Sequence, residues 1–275
     1  NLLDMRVEQY SDPKISSKLG LIAEALLLSK NNEKVKNIVD QFSGVLNAAD
    51  TEDNSAVTEG AIRLSESLLS YEKTDLLETL IKALLNRFNS AQHPKEFIQL
   101  CNGLQAIAVR LIDKRHFGQA GTIISHFREQ IAADSTRTDK QKKIAKEELC
   151  KIAHPKVVEA LISALREKLK SGNYANITDV LVMLGENALD SMLNILTHEE
   201  LHEKDPFELY VLRHSVAMVL KEIGQPAKDA LKKMLTTDKR AYVISNVIET
   251  LGYLGGDDLT PLLASFLHAD SPQVR

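Results

Sequence analysis

His198, Glu199 and His202 stand at the spacing that builds a zinc site. In His-Glu-x-x-His on a helix, two imidazoles four residues apart share one face and bind the metal, and the glutamate activates a water. The surroundings argue against that chemistry. Glu200, Glu203 and Lys204 crowd the stretch with charge, and Asp205 stands three residues after His202, where the extended motif continues with glycine. The expectation is a polar loop, with His198, Glu199 and His202 as weak metal candidates. The other histidines are scattered singly, and there is no Gly-x-Ser-x-Gly elbow, phosphate loop or dinucleotide fingerprint. The reading is no catalysis and no cofactor.

A second group is basic. Arg137, Lys140, Lys142, Lys143 and Lys146 crowd one predicted helix. From Arg137 to Lys170 there are ten basic and five acidic residues; from Ser171 to Leu212 there are eight acidic and one basic. Such a row is a solvated helix face or an electrostatic docking patch for an acidic protein or nucleic-acid segment. No aromatic residues interleave with the lysines to stack on bases. The 275-residue chain holds 34 Lys+Arg against 38 Asp+Glu, a net charge of −4, where nucleic-acid binders carry basic excess. Both features disfavour nucleic acid.

The elements that position these groups are helical. Gly (12) and Pro (7) are scarce, so tight β-turns are few. Apolar residues recur at three- and four-residue intervals, as in Leu212, Val216, Val219 and Leu220, and in Val243, Val247, Leu251 and Leu254. First helices are predicted to start near Ile15, Asn54, Pro94, Ser135, Tyr174, Pro206 and Arg240. Their partners start near Glu33, Thr74, His116, Pro155, Asn187, Pro226 and Asp257. That makes seven pairs at intervals of roughly 33 to 41 residues, the range of stacked helical hairpins. Gly185, Gly224 and Gly256 each precede a leucine by eleven residues and mark equivalent turns at helix ends.

These residues resemble the HEAT-repeat family. Val180 to Leu184 with Gly185, Val219 to Ile223 with Gly224, and Leu251 to Gly256 carry the likeness, with Asp238 and Asp270 at the inter-unit aspartate. The C-terminal units look like the short bacterial repeats related to phycobilisome lyases. The resemblance implies an all-α, right-handed α-α superhelix of about seven hairpins: a lead-in over 1–14, divergent repeats over 15–173 and HEAT-like repeats over 174–275. It further implies a non-catalytic scaffold that binds a protein partner along a concave groove lined by second helices. Arg166, Lys170, Lys228, Lys232 and Lys233 are the candidate lining residues, joined by Lys140 and Lys143 from the basic helix. The alternatives are a lyase-like modifying subunit and a nucleic-acid-binding solenoid.

Two cysteines exclude a disulfide scaffold, and Cys101 and Cys150 read as buried thiols. No run reaches the eighteen apolar residues of a membrane span and no signal peptide opens the chain, so a cytoplasmic location is expected. The start at Asn1 and the stop at Arg275 in mid-pattern suggest a fragment or processed chain.

Overall fold

The computed structural model describes residues 13–48, 55–169, 174–197 and 206–269, with 271, 272 and 274. Among them every regular element is a helix. The chain divides into two compact units, Asn1–Ile152 and Ala153–Arg275. The first holds α1 (Pro13–Leu28), α2 (Asn32–Ala48), α3 (Ser55–Ser70), α4 (Thr74–Ser90), α5 (Pro94–Asp113), α6 (Phe117–Ile131) and α7 (Asp139–Ile152). The second holds α8 (Pro155–Leu169), α9 (Ala175–Leu184), α10 (Leu189–Thr197), α11 (Pro206–Ile223), α12 (Gln225–Thr237), α13 (Ala241–Leu254) and α14 (Thr260–Ser265).

In the first unit α1, α3, α5 and α7 pack in one row and α2, α4 and α6 in another. Like positions meet across each row. Thr58 reaches Glu96, Asn86 reaches Asn47, and Gln130 reaches Asn89, at sequence separations of 38, 39 and 41 residues. Thr58 and Glu66 meet Glu96 and Arg110 in the same order, so α3 and α5 run in one direction. Between the rows lie Phe42, Phe88, Phe97 and Phe127, all fully buried. Phe88 stacks on Phe97 with centroids 5.3 Å apart and tilts against Phe127 at 5.2 Å, an aromatic core that each hairpin supplies in part. Gly103 lets α5 approach α3 closely, because a Cβ there would run into Ile62.

The first three hairpin turns repeat one geometry without glycine. Lys30, Glu72 and Arg115 take φ of 57°, 56° and 66°. The amide that follows each bonds a carbonyl five residues back: Asn31 to Leu26, Lys73 to Leu68, His116 to Leu111. This is the Schellman closure of a helix end. In the second unit Gly185, Gly224 and Gly255 take the positive-φ position, and their amides bond Leu181, Leu220 and Leu251.

A second device recurs at helix C-termini. Arg137, in the turn before α7, is 7 % exposed and donates to the carbonyls of Phe88, Asn89 and Ala91 at the end of α4. Its Nε reaches Gln130 Oε1 at 2.5 Å and its guanidinium lies 4.8 Å from the Phe97 centroid. In the second unit Arg240 and the Tyr242 hydroxyl donate to the Thr197 carbonyl, and Asn246 donates to that of Leu196, so residues at the start of α13 close the end of α10. Asp238 aims Arg240 through bonds of 2.6 and 3.0 Å, which hold its own carboxyl down at about 2. In each case an arginine before a first helix donates to the C-terminal end of a second helix two hairpins earlier.

Ala175–Thr197 is long and apolar enough by composition to cross a membrane. It is two helices broken at Gly185, and Val180, Leu181, Leu184, Met192 and Leu196 are buried within the second unit.

Candidate partner-binding surfaces

The basic residues separate into unlike environments. Arg137 leaves the surface row altogether, because α7 begins at Asp139 and the guanidinium is buried against α4. Lys140, Lys143 and Lys146 stand exposed on α7. Lys142 donates to the Ala133 carbonyl at 3.3 Å. On α8 Arg166 is half-buried, and its Nε is buried with no hydrogen-bond partner among the described residues. Lys170 lies outside the described residues, as do His198, Glu199 and His202. Among the described residues no three His, Cys, Asp or Glu side chains converge on one point as metal ligands would.

Lys228 and Lys232 are brought together one helical turn apart on α12. Both point at Asp258, with Nζ–O distances of 3.7 and 2.8 Å. The ammoniums hold Asp258 below the ordinary carboxylate range, the Lys232 hydrogen bond contributing most. Lys233 is exposed. Beside the same helix a cleft of about 540 Å³ opens between α10 and α12, edged by Asp190, Asn194, Thr197, Met234, Asp238 and Lys239. In the first unit a smaller cleft of about 250 Å³ runs along α1, α3 and α5. Both of its arginines meet a carboxylate: Arg63 meets Glu59 at 2.8 Å and Arg110 meets Glu66 at 3.5 Å.

Sequence reasoning missed an aromatic row. Tyr210, His214 and Met218 occupy successive turns of α11, and Tyr253 joins them from α13. Tyr210 is 50 % exposed and Met218 52 %. His214 packs edge-on to Tyr253 at 4.8 Å and stacks on Tyr210 at 6.2 Å. The two tyrosine hydroxyls share a hydrogen bond of 3.1 Å, which keeps Tyr253 protonated and pushes it up to about 12. His214 Nδ1 is buried and has no hydrogen-bond partner among the described residues. The available signal was the i, i+4, i+8 spacing of Tyr210, His214 and Met218, which sets a second stripe beside the buried Leu212, Val216 and Val219.

The thiols differ. Cys150 is exposed, contrary to the sequence reading, because it falls on the outer face of α7. Cys101 is fully buried, and burial, reinforced by the Glu148 carboxylate, pushes it from 9.0 to about 12. A native thiol held protonated while the unfolded one ionises makes stability fall as pH rises from about 9 toward 12. Urea titrations at pH 8 and above should show this loss in the wild type and a smaller one in Cys101→Ala; equal slopes would refute it.

No known protein family, no characterised protein and no solved structure matches this chain.

Proposed function

We propose that the chain is a non-catalytic, HEAT-like helical-repeat scaffold that holds a segment of a protein partner along its stacked hairpins. The supporting observation is the row built jointly by α11 and α13, in which Tyr210 and Met218 are exposed and His214 and Tyr253 half-buried. Tyrosine and methionine are enriched where proteins meet: a ring or thioether offers contact area at low entropic cost, and a hydroxyl adds direction. The hydrogen bond between the two hydroxyls fixes the tyrosines before any partner arrives, which lowers the ordering cost of binding. Side chains of second helices set the register. Arg166 contributes from α8, with Lys228, Lys232 and Lys233 from α12; a partner carboxylate would compete with Asp258 for two of these ammoniums.

The test is a photo-crosslinking amino acid in place of Met218 in the full chain, followed by identification of what becomes attached. A polypeptide adduct is expected, weakened roughly thirtyfold in apparent affinity by Tyr210→Ala, a loss of about 2 kcal/mol at an interface anchor. With the crosslinking residue moved to the exposed Lys221, Met218→Lys should also block capture while leaving the melting curve unchanged. Capture untouched by both substitutions would overturn the proposal.

A further inference from the structure

We infer that the outer face of α7 is a preformed docking ridge for an acidic protein segment, separate from the aromatic row. Lys140, Lys143 and Lys146 are exposed along it, one per turn, and none pairs with a carboxylate among the described residues. Lys151 is different: its ammonium is taken by Glu148 at 2.5 Å. Successive lysines rise by about 4.5 Å along the helix axis, the same step that separates glutamates placed one turn apart on a partner helix. Glu147 and Asp139 are the acidic side chains exposed on α7, and Asp139 sits in the first turn, where the helix dipole already favours a carboxylate.

The ridge is rigid for two reasons. Thr138 and Gln141 form a reciprocal capping box: the Thr138 amide donates to Gln141 Oε1 at 3.1 Å and the Gln141 amide to Thr138 Oγ1 at 3.3 Å. One residue earlier, Arg137 bolts the same turn to the end of α4. The burial of Gln141, Ala145, Glu148, Leu149 and Ile152 fixes the inward face, so the lysines are held outward without a partner. Charge complementarity decides the occupant. The chain as a whole is negative by four, so an acidic segment is favoured only where basic side chains are locally in excess. A field of that shape steers an acidic segment to one place and discourages other contacts. Three ammoniums on one helix, with the neighbouring arginine buried and no aromatic residue on α7, suit carboxylates better than a phosphate backbone.

Fluorescence anisotropy on the full chain tests this. The probes are a labelled helical peptide with glutamates one turn apart, its glutamine counterpart, and a single-stranded oligonucleotide of equal charge. The glutamate peptide should bind at low ionic strength, and the glutamine peptide at least about tenfold more weakly. Reversing the ridge in Lys140→Glu/Lys143→Glu/Lys146→Glu should weaken the glutamate peptide by at least about tenfold, while Met218→Lys leaves its binding unchanged. The three positions are exposed, and an unchanged melting curve will separate lost binding from lost fold. No binding of the glutamate peptide, equal binding by the reversed chain, or tighter binding of the oligonucleotide would each overturn the inference. Loss of binding on Met218→Lys would overturn it too, by placing the peptide on the aromatic row.

Discussion

Arg137→Ala should destabilise the first unit by about 4 kcal/mol, more than any lysine substitution on the adjoining helix. Two effects oppose each other. Burying a guanidinium is costly, and the cost shows in its downward shift from the ordinary arginine value. Removing it would relieve that cost. It would also strand the carbonyls of Phe88, Asn89 and Ala91 and the Gln130 side-chain oxygen, and leave a void over Phe97. An unsatisfied buried acceptor costs about 1–3 kcal/mol, and four of them outweigh the relief. Arg137→Met keeps most of the volume and no donor, so it should recover less than half of the loss. Urea denaturation of both variants, with Lys140→Ala as a control expected within about 0.5 kcal/mol of wild type, separates bonding from packing. A loss under about 1 kcal/mol for the alanine variant would mean that water reaches the α4 carbonyls, and the capping account would fail.

Arg137 also shows where the sequence could be read and where it could not. Helix positions follow from local chemistry. Pro94, Thr74, Pro155 and Pro206 begin helices in the structure where the pattern predicts them. The end of α4 is closed by a residue almost fifty positions away, and nothing around Arg137 distinguishes it from the lysines that follow. The turns tell the same story. Leu-Gly marks the ends of α9 and α13, and Ile-Gly that of α11, because glycine takes positive φ without steric cost. Lys30, Glu72 and Arg115 adopt the same left-handed φ in the first unit, so those turns repeat in space while their signature is missing from the sequence. The two sets of turns share a positive φ but close differently, five residues back after Lys30, Glu72 and Arg115 and four residues back at Gly185, Gly224 and Gly255. The basic candidates were legible as charges. Their fates were not: whether Lys228 and Lys232 face a partner or Asp258 depends on how the turn at Gly256 places that aspartate.

The other large effect lies one turn back on α4. Arg87 and Glu96 form an ion pair whose side chains are 3 % and 0 % exposed, with bonds of 2.6 and 2.7 Å, and Thr58 donates to Glu96 Oε1 at 3.2 Å. The eight residues between them hold the joint from α4 to α5, so the pair clasps that turn and ties α3 to it. Each charge suits its helix end: Arg87 is in the last turn of α4 and Glu96 in the first turn of α5. Breaking the pair from one side leaves the other charge buried without its counter-charge. Arg87→Met and Glu96→Leu should therefore each cost about 3–5 kcal/mol. The double variant removes both desolvation costs as well as their attraction, and its loss should be smaller than either single one. What the double variant keeps losing is the dipole contribution at two helix ends and the Thr58 contact, together on the order of 1–2 kcal/mol. A double-mutant cycle in urea measures this directly. Losses that simply add would show that the two charges are solvated independently, and that the turn between α4 and α5 is held by the packing of Phe88 on Phe97 alone.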